Sequence, residues 1–399
     1  MSGAAESCWA CGSKDLTSIY EVDGIPLSSL ILMTTPEEAV TYPRGDLQLV
    51  VCQHCAFIFN AKFSPDSVDY TQPYEESQAH SPRFRVFEQE LVDHLINDYD
   101  LTGRLVFEIG CGKASFLERI CRQAGARGLG IDPSFDPERA ATDLDIKVLK
   151  EYFDADHTDL TGDLICCRHT LEHIGPVAEF VGLTRISAGH SDAVVFFEIP
   201  DADRILAEGA FWDVYNEHCS YFTLASLSNL FRSVGFGVLR LQKGFDDQYL
   251  LIDAKVGAVD LSVDENAVTQ VVEAATEFTA KAAASTEIWR RAIDRAHEQG
   301  KTVMLWGASS KAVGFLSAIE RNESIAGAVD INPFKQNLYL PGSGHLIVGP
   351  SQLQQLSPDL VIVMNPIYVP EITEMLDGLG LHPETRAVGV SEAELAGIE

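Results

Sequence analysis

The stretch FWDVYNEHCSYFT, residues 211–223, brings tyrosines, carboxylates, an imidazole and a thiol close together in sequence. These residue types suit general acid–base chemistry, since a histidine such as His218 has a neutral form near pH 7 that accepts a proton. Glu217 and Tyr215 stand beside it in the chain. The same residues would also suit a surface loop in which every polar group is hydrogen-bonded. The elements around the stretch are needed to choose between these two interpretations.

Four of the nine cysteines form two C-x-x-C pairs, Cys8 with Cys11 and Cys52 with Cys55. Two such knuckles can place four thiolates tetrahedrally around one zinc ion. Because protein ligands would fill all four positions, the predicted zinc is structural. The alternative is two independent redox or core pairs. The segment between them, residues 20–46, is expected to be an inserted hairpin or loop.

Length and charge narrow the class of protein. The 399 residues predict two or three domains. With 29 basic and 59 acidic residues, the formal net charge is -30. Such a surface repels nucleic acids and anionic membranes, which leaves a small molecule as the expected partner. The N-terminus lacks the features of a signal peptide and no run approaches a membrane span, so a soluble, cytoplasmic protein is expected.

The segment 103–134 predicts a strand, a glycine turn, a helix and a second strand that ends at Asp132, a β-α-β nucleotide-binding unit. Gly110 and Gly112 let the backbone approach a ligand, and Asp132 suits a ribose diol. The E-x-G-x-G turn lacks the third glycine of a pyrophosphate cradle. Glu108 would repel pyrophosphate but suits a cationic amino-acid group beside a sulfonium. These features favour S-adenosylmethionine over a dinucleotide.

Further candidates follow the later strands of this unit. An aromatic pair, Tyr152 and Phe153, stands where an adenine could lie. A strand predicted at 164–167 is followed by three polar residues: Arg168, His169 and His173. Because ligands lie outside the carboxyl ends of parallel strands, these residues are expected to converge on one crevice.

The C-terminal third predicts a long amphipathic helix over about 264–300 and a second Rossmann-like unit. Taken alone, Gly307 and Asp330 suggest a binding site for a nicotinamide dinucleotide. The GASSKA turn, however, lacks the glycines that would let the backbone approach a pyrophosphate closely. The turn offers candidates for holding an anionic substrate such as a nucleotide diphosphate: Ser309, Ser310 and Lys311. A capped helix with a solvated lysine is the alternative.

The two C-x-x-C pairs, VFEIGCG, HTLEHI and YNEHCSYF, in this order, resemble the sugar C-methyltransferases of deoxysugar biosynthesis. The resemblance covers nearly the whole chain and implies an α/β protein in three parts. These are a small zinc-binding module at 1–80, a class I S-adenosylmethionine-dependent methyltransferase domain at 81–256, and a helix plus Rossmann-like substrate-binding domain at 257–399. In that family the G-A-x-x-K turn faces the substrate cleft and holds no second cofactor.

The resemblance also implies roles. Carbon next to a ketone in a nucleotide-linked keto-deoxysugar would lose a proton and then accept the methyl group. His218 would be the base, with Glu217 orienting or polarising it and Tyr215 close by. His173 and Tyr74 match positions that line the same pocket, as enolate stabilisers or proton relays.

Three alternatives stay open at this point. One is methylation of another acceptor at oxygen, nitrogen or a non-sugar carbon. Another is a zinc-ribbon binding or scaffold protein with an inactive methyltransferase domain, and the last is a nicotinamide dehydrogenase. The sequence leaves open the sugar, its methylated atom and the oligomeric state.

Overall fold

The structure is a computed structural model, and it describes residues 4–71, 78–139, 141, 143–257 and 264–389. Within these residues sixteen strands form three sheets: β1 (Leu16–Pro26), β2 (Arg44–Cys52), β3 (Ile58–Asn60), β4 (Leu105–Ile109), β5 (Arg127–Ile131), β6 (Ile146–Leu149), β7 (Leu164–Arg168), β8 (Val194–Pro200), β9 (Ser220–Tyr221), β10 (Phe236–Gly244), β11 (Tyr249–Val256), β12 (Val303–Trp306), β13 (Gly327–Val329), β14 (Ile347–Val348), β15 (Leu360–Val363) and β16 (Glu384–Ala387).

Ten α-helices lie in the same described ranges: α1 (Pro36–Val40), α2 (Pro82–Tyr99), α3 (Ser115–Ala124), α4 (Val177–Gly189), α5 (Ala202–Glu208), α6 (Leu224–Ser233), α7 (Glu265–Glu298), α8 (Ser310–Ile319), α9 (Leu353–Leu356) and α10 (Val369–Gly378). None of these helices combines the length and the apolar composition that crossing a bilayer requires.

The N-terminal sheet is antiparallel, in the order β1-β2-β3-β9. The segment 20–46, predicted as a hairpin or loop, forms the end of β1, helix α1 and the start of β2, and β1 and β2 pair along most of their length. The fourth strand, β9, comes from the stretch 211–223. The polar, aromatic stretch is therefore built into the sheet that carries the cysteine pairs.

The central sheet has the order β10-β11-β8-β7-β4-β5-β6. All neighbours from β8 to β6 are parallel, whereas β11 runs antiparallel to both of its neighbours. Helix α3 is the helix predicted within residues 103–134. Phe116, Leu117 and Ile120 bury one of its faces, and Gly125, with φ +58°, ends it. β4 lies between β5 and β7, so the connections diverge there and open a crevice at its carboxyl end.

The C-terminal sheet is parallel, in the order β14-β13-β12-β15-β16. Helix α7 spans 34 residues and begins where the Asp264 carboxylate accepts the backbone N–H groups of Asn266 and Ala267, both at 3.1 Å. Its apolar side lies in one core with residues of β1, β2 and β12. The predicted fold class, α/β with a small cysteine-bearing module and two Rossmann-like units, is confirmed.

Trp289 of α7 is 1% exposed and meets Phe315 of α8 edge to face, with ring centroids 5.6 Å apart. We expect Trp289→Ala to lower the free energy of unfolding by about 3–5 kcal/mol, because the truncation leaves a cavity in the shared core. Denaturant unfolding measures this. Glu273→Ala, at an exposed position of the same helix, is the control and should change stability by less than about 0.5 kcal/mol. Equal effects of the two variants would contradict the assignment of Trp289 to the core.

Candidate active site

A cavity of about 640 Å³ lies where the carboxyl ends of the central and C-terminal sheets face each other. Ligand pockets for small molecules typically measure about 300–1,000 Å³. The lining includes most of the predicted site residues: Glu108, Gly110, Gly112, His169, His173, Tyr215, His218, Ser309, Ser310 and Lys311. The two Rossmann-like units thus share one site.

The glycine turn after β4 presents backbone to this cavity. Gly110 has φ +71°, and a Cβ there would lie 2.1 Å from the Thr170 hydroxyl. Gly112 has φ +51°, and a Cβ there would meet nothing within 4 Å. Glycine is required at both positions by conformation, and at Gly112 the open space lies on the side that a ligand can occupy.

Asp132 holds this turn in place. Its Oδ2 accepts the Gly112 N–H at 2.8 Å, and its Oδ1 accepts the Ser134 N–H at 2.8 Å and the Ser134 hydroxyl at 2.6 Å. Both oxygens already accept protein donors, and Asp132 is not among the cavity-lining residues, although Ser134 is. A ribose contact by Asp132 stays a prediction.

Glu108 lies on β4 beneath the turn and is 3% exposed. Burial raises the pKa of its carboxyl to about 8, against the opposing charge of Arg168. Its Oε2 is buried and accepts no hydrogen bond from any described residue. A buried carboxylate oxygen without a donor at the cavity wall matches a ligand that brings its own N–H groups.

Phe153 does not reach the cavity. Its ring packs edge to face against Phe107 at 6.0 Å and Phe180 at 5.8 Å between centroids. Its neighbour Tyr152 is 52% exposed. The position of the Phe153 ring, which packs against the core of the central sheet, does not support the adenine contact predicted for it. That contact stays a prediction.

A buried ion network surrounds Arg168, at the end of β7. Its guanidinium contacts Glu88 at 3.3 Å and Glu198 at 2.5 Å and stands 3.9 Å above the Phe116 ring. His169 Nε2 lies 3.3 Å from Glu198. Burial acts to raise the pKa of Glu198, but the positive charges of Arg168 and His169 outweigh burial and lower this pKa to about 2. The network holds His169 at the cavity wall with a left-handed φ of +49°.

Sequence reasoning missed Glu88 and Glu198. Both left a local signal, because Glu88 follows Phe87 on the buried face of α2 and Glu198 interrupts the apolar run of β8. A carboxylate within a buried apolar pattern indicates a paired or functional charge.

The predicted catalytic residues of the stretch and His173 meet at one wall of the cavity. The His218 ring lies 4.3 Å from the Tyr215 ring and 4.7 Å from the His173 ring, measured between centroids. His173 Nδ1 lies 3.0 Å from the Glu217 carbonyl oxygen and 3.3 Å from the Tyr70 hydroxyl. The Glu217 backbone therefore orients the imidazole of His173.

Burial keeps both imidazoles neutral. It lowers the pKa of His173 to about 4 and that of His218 well below its ordinary value, with each ring near the other. Burial also raises the pKa of Tyr215 well above its ordinary value, so its hydroxyl keeps the proton. At neutral pH the wall offers imidazole lone pairs as proton acceptors and a phenol as a donor.

The Glu217 carboxylate is tied to the N-terminal module. It is fully buried, accepts the Ser29 N–H at 2.8 Å and accepts the Ser29 hydroxyl as well. Next to it, Asn216 Nδ2 donates to the Leu27 carbonyl at 2.9 Å. These contacts anchor the backbone on which His218 stands, and the predicted role of Glu217 in orienting or polarising His218 stays a prediction. No local pattern around Ser29 pointed to this contact.

Lys311 lies at the start of α8 and its ammonium donates to the Asp213 carboxylate, which also pairs with Arg204. Burial lowers the pKa of Lys311 to about 8, while Asp213 opposes this. Ser309 and Ser310 line the cavity beside it. The lysine is thus neither solvated nor isolated, and Asp213 and Arg204 are neighbours of Lys311 that the sequence did not reveal.

Tyr74, predicted to line the same pocket, lies outside the described residues. A nearby described tyrosine, Tyr70, does contact this part of the site. Its hydroxyl lies 3.3 Å from His173 Nδ1 and 3.4 Å from the Glu217 carbonyl oxygen.

The four predicted zinc ligands come together in the N-terminal module. The sulfurs of Cys8 and Cys55 are 3.6 Å apart, those of Cys11 and Cys52 are 3.6 Å apart, and all four lie within 4.8 Å of one another. Zinc–thiolate bonds of about 2.3 Å in a tetrahedron place sulfurs about 3.8 Å apart. The donor set therefore fits one zinc ion.

Two segments of the chain match known domain families, and most of the chain is similar to one characterised protein. Residues 83–241 match the family described as a methyltransferase domain, and residues 254–380 match a C-methyltransferase C-terminal domain. C-methyltransferase NovU of Streptomyces niveus is 27% identical in an alignment of 397 residues, and the match covers 92% of this chain and 91% of NovU.

Likeness to solved structures is partial. Magnesium protoporphyrin IX methyltransferase of Synechocystis PCC 6803 is 17% identical, with 47% of this chain and 91% of that chain covered and a TM-score of 0.35. The 1,6-didemethyltoxoflavin-N1-methyltransferase of Burkholderia thailandensis is 14% identical, with 46% and 80% covered and a TM-score of 0.33.

We expect Ser29→Ala to lower the kcat of methyl transfer roughly tenfold, about 1.4 kcal/mol, because the buried Glu217 carboxylate loses a donor and the backbone before His218 loosens. The affinity for S-adenosylmethionine should not change, since the glycine turn is untouched. Steady-state kinetics and calorimetry separate the two quantities. Ser18→Ala, an exposed hydroxyl on β1, is the control. A folded Ser29→Ala variant with unchanged kcat would contradict the anchoring role.

Proposed function

We propose that this chain, an S-adenosylmethionine-dependent methyltransferase with the two domains of a C-methyltransferase, methylates a carbon atom of a nucleotide-linked keto-deoxysugar. One observation carries the proposal most directly. His173 and His218 stand 4.7 Å apart at the cavity wall, and both keep a neutral imidazole. A carbon acceptor needs a base, and these rings supply proton-accepting lone pairs.

The cofactor would lie against the glycine turn after β4. S-adenosylmethionine, when bound, supplies an electrophilic methyl group on a sulfonium. Glu108 would accept the ligand's ammonium N–H groups through its buried Oε2, and the open face at Gly112 would accommodate the ligand beside the backbone. Asp132 and His169 would keep the turn and the opposite wall in place, and Phe153 would stay in the core.

The residues of the stretch 211–223 would handle the proton. His218 would take the proton from the carbon next to the ketone, and the electron pair of that C–H bond would delocalise onto the ketone oxygen as an enolate. The Tyr215 hydroxyl, which stays protonated, is a donor for that oxygen. The enolate carbon would then form its bond to the methyl carbon as the methyl–sulfur bond breaks.

The anionic end of the substrate would lie at the start of α8. Ser309, Ser310 and Lys311 line this part of the cavity. Free N–H groups at a helix N-terminus favour anions, and a buried ammonium adds positive charge to an otherwise acidic protein. Asp213 would position Lys311 rather than oppose the substrate, because Arg204 shares its charge. A sugar nucleotide has the diphosphate that this arrangement suits.

Zinc would serve the fold alone. Cys8, Cys11, Cys52 and Cys55 would hold one structural ion, which would join the segment before β1 to the turn between β2 and β3. None of the four cysteines lines the cavity. The ion would thereby stabilise β2 and β3, against which β9 pairs.

Labelled S-adenosylmethionine and a panel of keto-sugar nucleotides test the function, with exchange of the acceptor C–H followed in deuterated water. We expect label on carbon, and a loss of both transfer and exchange by at least about 100-fold in His218→Asn. His157→Asn changes a histidine held by Glu151 and Asp154 away from the cavity and is the control. Transfer to oxygen or nitrogen only would overturn the proposal.

Glu108 makes cofactor binding depend on pH. Because its pKa is about 8, its carboxyl is mostly neutral at pH 6–7 in the free protein. A cationic ligand favours the ionised form, so affinity should rise by up to about tenfold per pH unit as pH increases towards 8. It should then fall as the ligand's amino group, of pKa about 7.7–8.0, loses its proton. Calorimetry between pH 6 and 9 measures both limbs.

In Glu108→Gln the rising limb should disappear while the falling limb stays. Glu179→Gln, an exposed carboxylate of α4, should keep both limbs. A wild-type affinity that does not change between pH 6 and 8 would show that Glu108 does not face the ligand's charge.

A further inference from the structure

A second cluster with metal-ligand chemistry lies at the cavity itself. One carboxylate oxygen of Glu172 and one ring nitrogen each of His173 and His218 lie within 4.8 Å of one another. Apart from the cysteine site, it is the one such cluster found in the described residues. We propose that Glu172, His173 and His218 bind one divalent first-row transition ion of the zinc, cobalt and nickel type, and that this ion inhibits the enzyme.

The ligand types suit such an ion. Two imidazoles and one carboxylate are a common protein donor set for zinc, and three protein ligands leave a position open for water or substrate. Imidazole also favours late transition ions over Mg²⁺ or Ca²⁺, which prefer oxygen alone. The set differs from the four thiolates of the N-terminal module, so the two sites can be separated by their ligands.

The surroundings already orient the ligands. His173 Nδ1 lies 3.0 Å from the Glu217 carbonyl oxygen, the contact by which metal-binding histidines are usually fixed with the other nitrogen directed to the ion. That carbonyl belongs to a backbone anchored by Ser29. Glu172 and His173 are consecutive residues of one 3₁₀ turn, Leu171–His173, so their spacing is set by a single turn of backbone.

Little movement is needed for coordination. Zinc bonds of about 2.0–2.1 Å in a tetrahedron place ligand atoms about 3.3 Å apart, so the donors would close by at most about 1.5 Å. His218 is held by ring contacts with Tyr215 and His173, and a rotation about its side-chain bonds can provide this change. The chain's excess of acidic residues favours the arrival of a cation.

Inhibition follows from the chemistry of the lone pairs. A nitrogen lone pair that binds a metal ion cannot also accept a proton. If His218 takes the proton from the acceptor carbon, the ion and that proton compete for the same ring. This half of the inference rests on the proposed function, whereas binding of the ion does not.

Equilibrium dialysis against Zn²⁺, with metal and protein quantified after metal removal and reloading, tests the binding. The wild-type chain should hold two zinc ions, one at the cysteines and one at the triad. His173→Asn, His218→Asn and Glu172→Gln should each hold one. His157→Asn, which removes a partly buried histidine that contacts two carboxylates outside the cavity lining, should hold two. Circular dichroism and S-adenosylmethionine binding verify that each variant is folded.

A wild-type chain that saturates at one zinc, or a second zinc that His157→Asn loses and His218→Asn keeps, would overturn the site. Filling of the second site should also reduce methyl transfer at least tenfold, and a chelator that removes this zinc alone should restore it. Two bound ions without inhibition would leave the metal site standing and overturn both the inhibitory role and the assignment of His218 as base.

Discussion

The pairing of β9 with β3 is the constraint on which the cavity wall depends. Ile58 pairs with Tyr221 and Phe59 with Ser220, and only Cys219 separates this strand from His218. On the other side of His218, the 3₁₀ turn Phe211–Asp213 packs against α8. The backbone of the few residues between these two anchors is therefore held at both ends. Catalytic groups on a short segment fixed at both ends keep their geometry without a large rigid element of their own.

The buried charged groups around the cavity include ion pairs that compensate one another. Arg168 is paired with two carboxylates and Asp213 with two cations, so these buried charges compensate one another and form a fixed frame. Glu108 and His218 behave differently, since burial moves the pKa of each towards the neutral form. Groups whose ionisation depends on what occupies the cavity are those that can respond to a ligand.

Local patterns predicted the elements, and they failed where distant segments meet. The apolar run of β4, the glycine turn and the periodicity of α3 and α7 are properties of neighbouring residues, so their positions followed from the sequence. The C-x-x-C spacing likewise predicted a four-sulfur cluster. The Ser29 contact with Glu217 could not be predicted, because neither residue carries a local signal for the other. The adenine contact predicted for Phe153 stays a prediction, and the neighbours of Phe153 in sequence do not show that its ring packs against Phe107 and Phe180.

The origin of β9 also has a consequence for how the protein is made. During synthesis, β1, β2 and β3 emerge from the ribosome long before Ser220 and Tyr221 do, so β3 has an unpaired edge for most of that time. Open strand edges recruit other chains. The exposed edge of β3 is only three residues long and ends at the polar Asn60, and such a short edge limits pairing with other chains. A nascent or truncated N-terminal module is thus a nearly complete sheet that lacks its last partner, and its solubility depends on β9, which is made only after strands β4 to β8 of the central sheet.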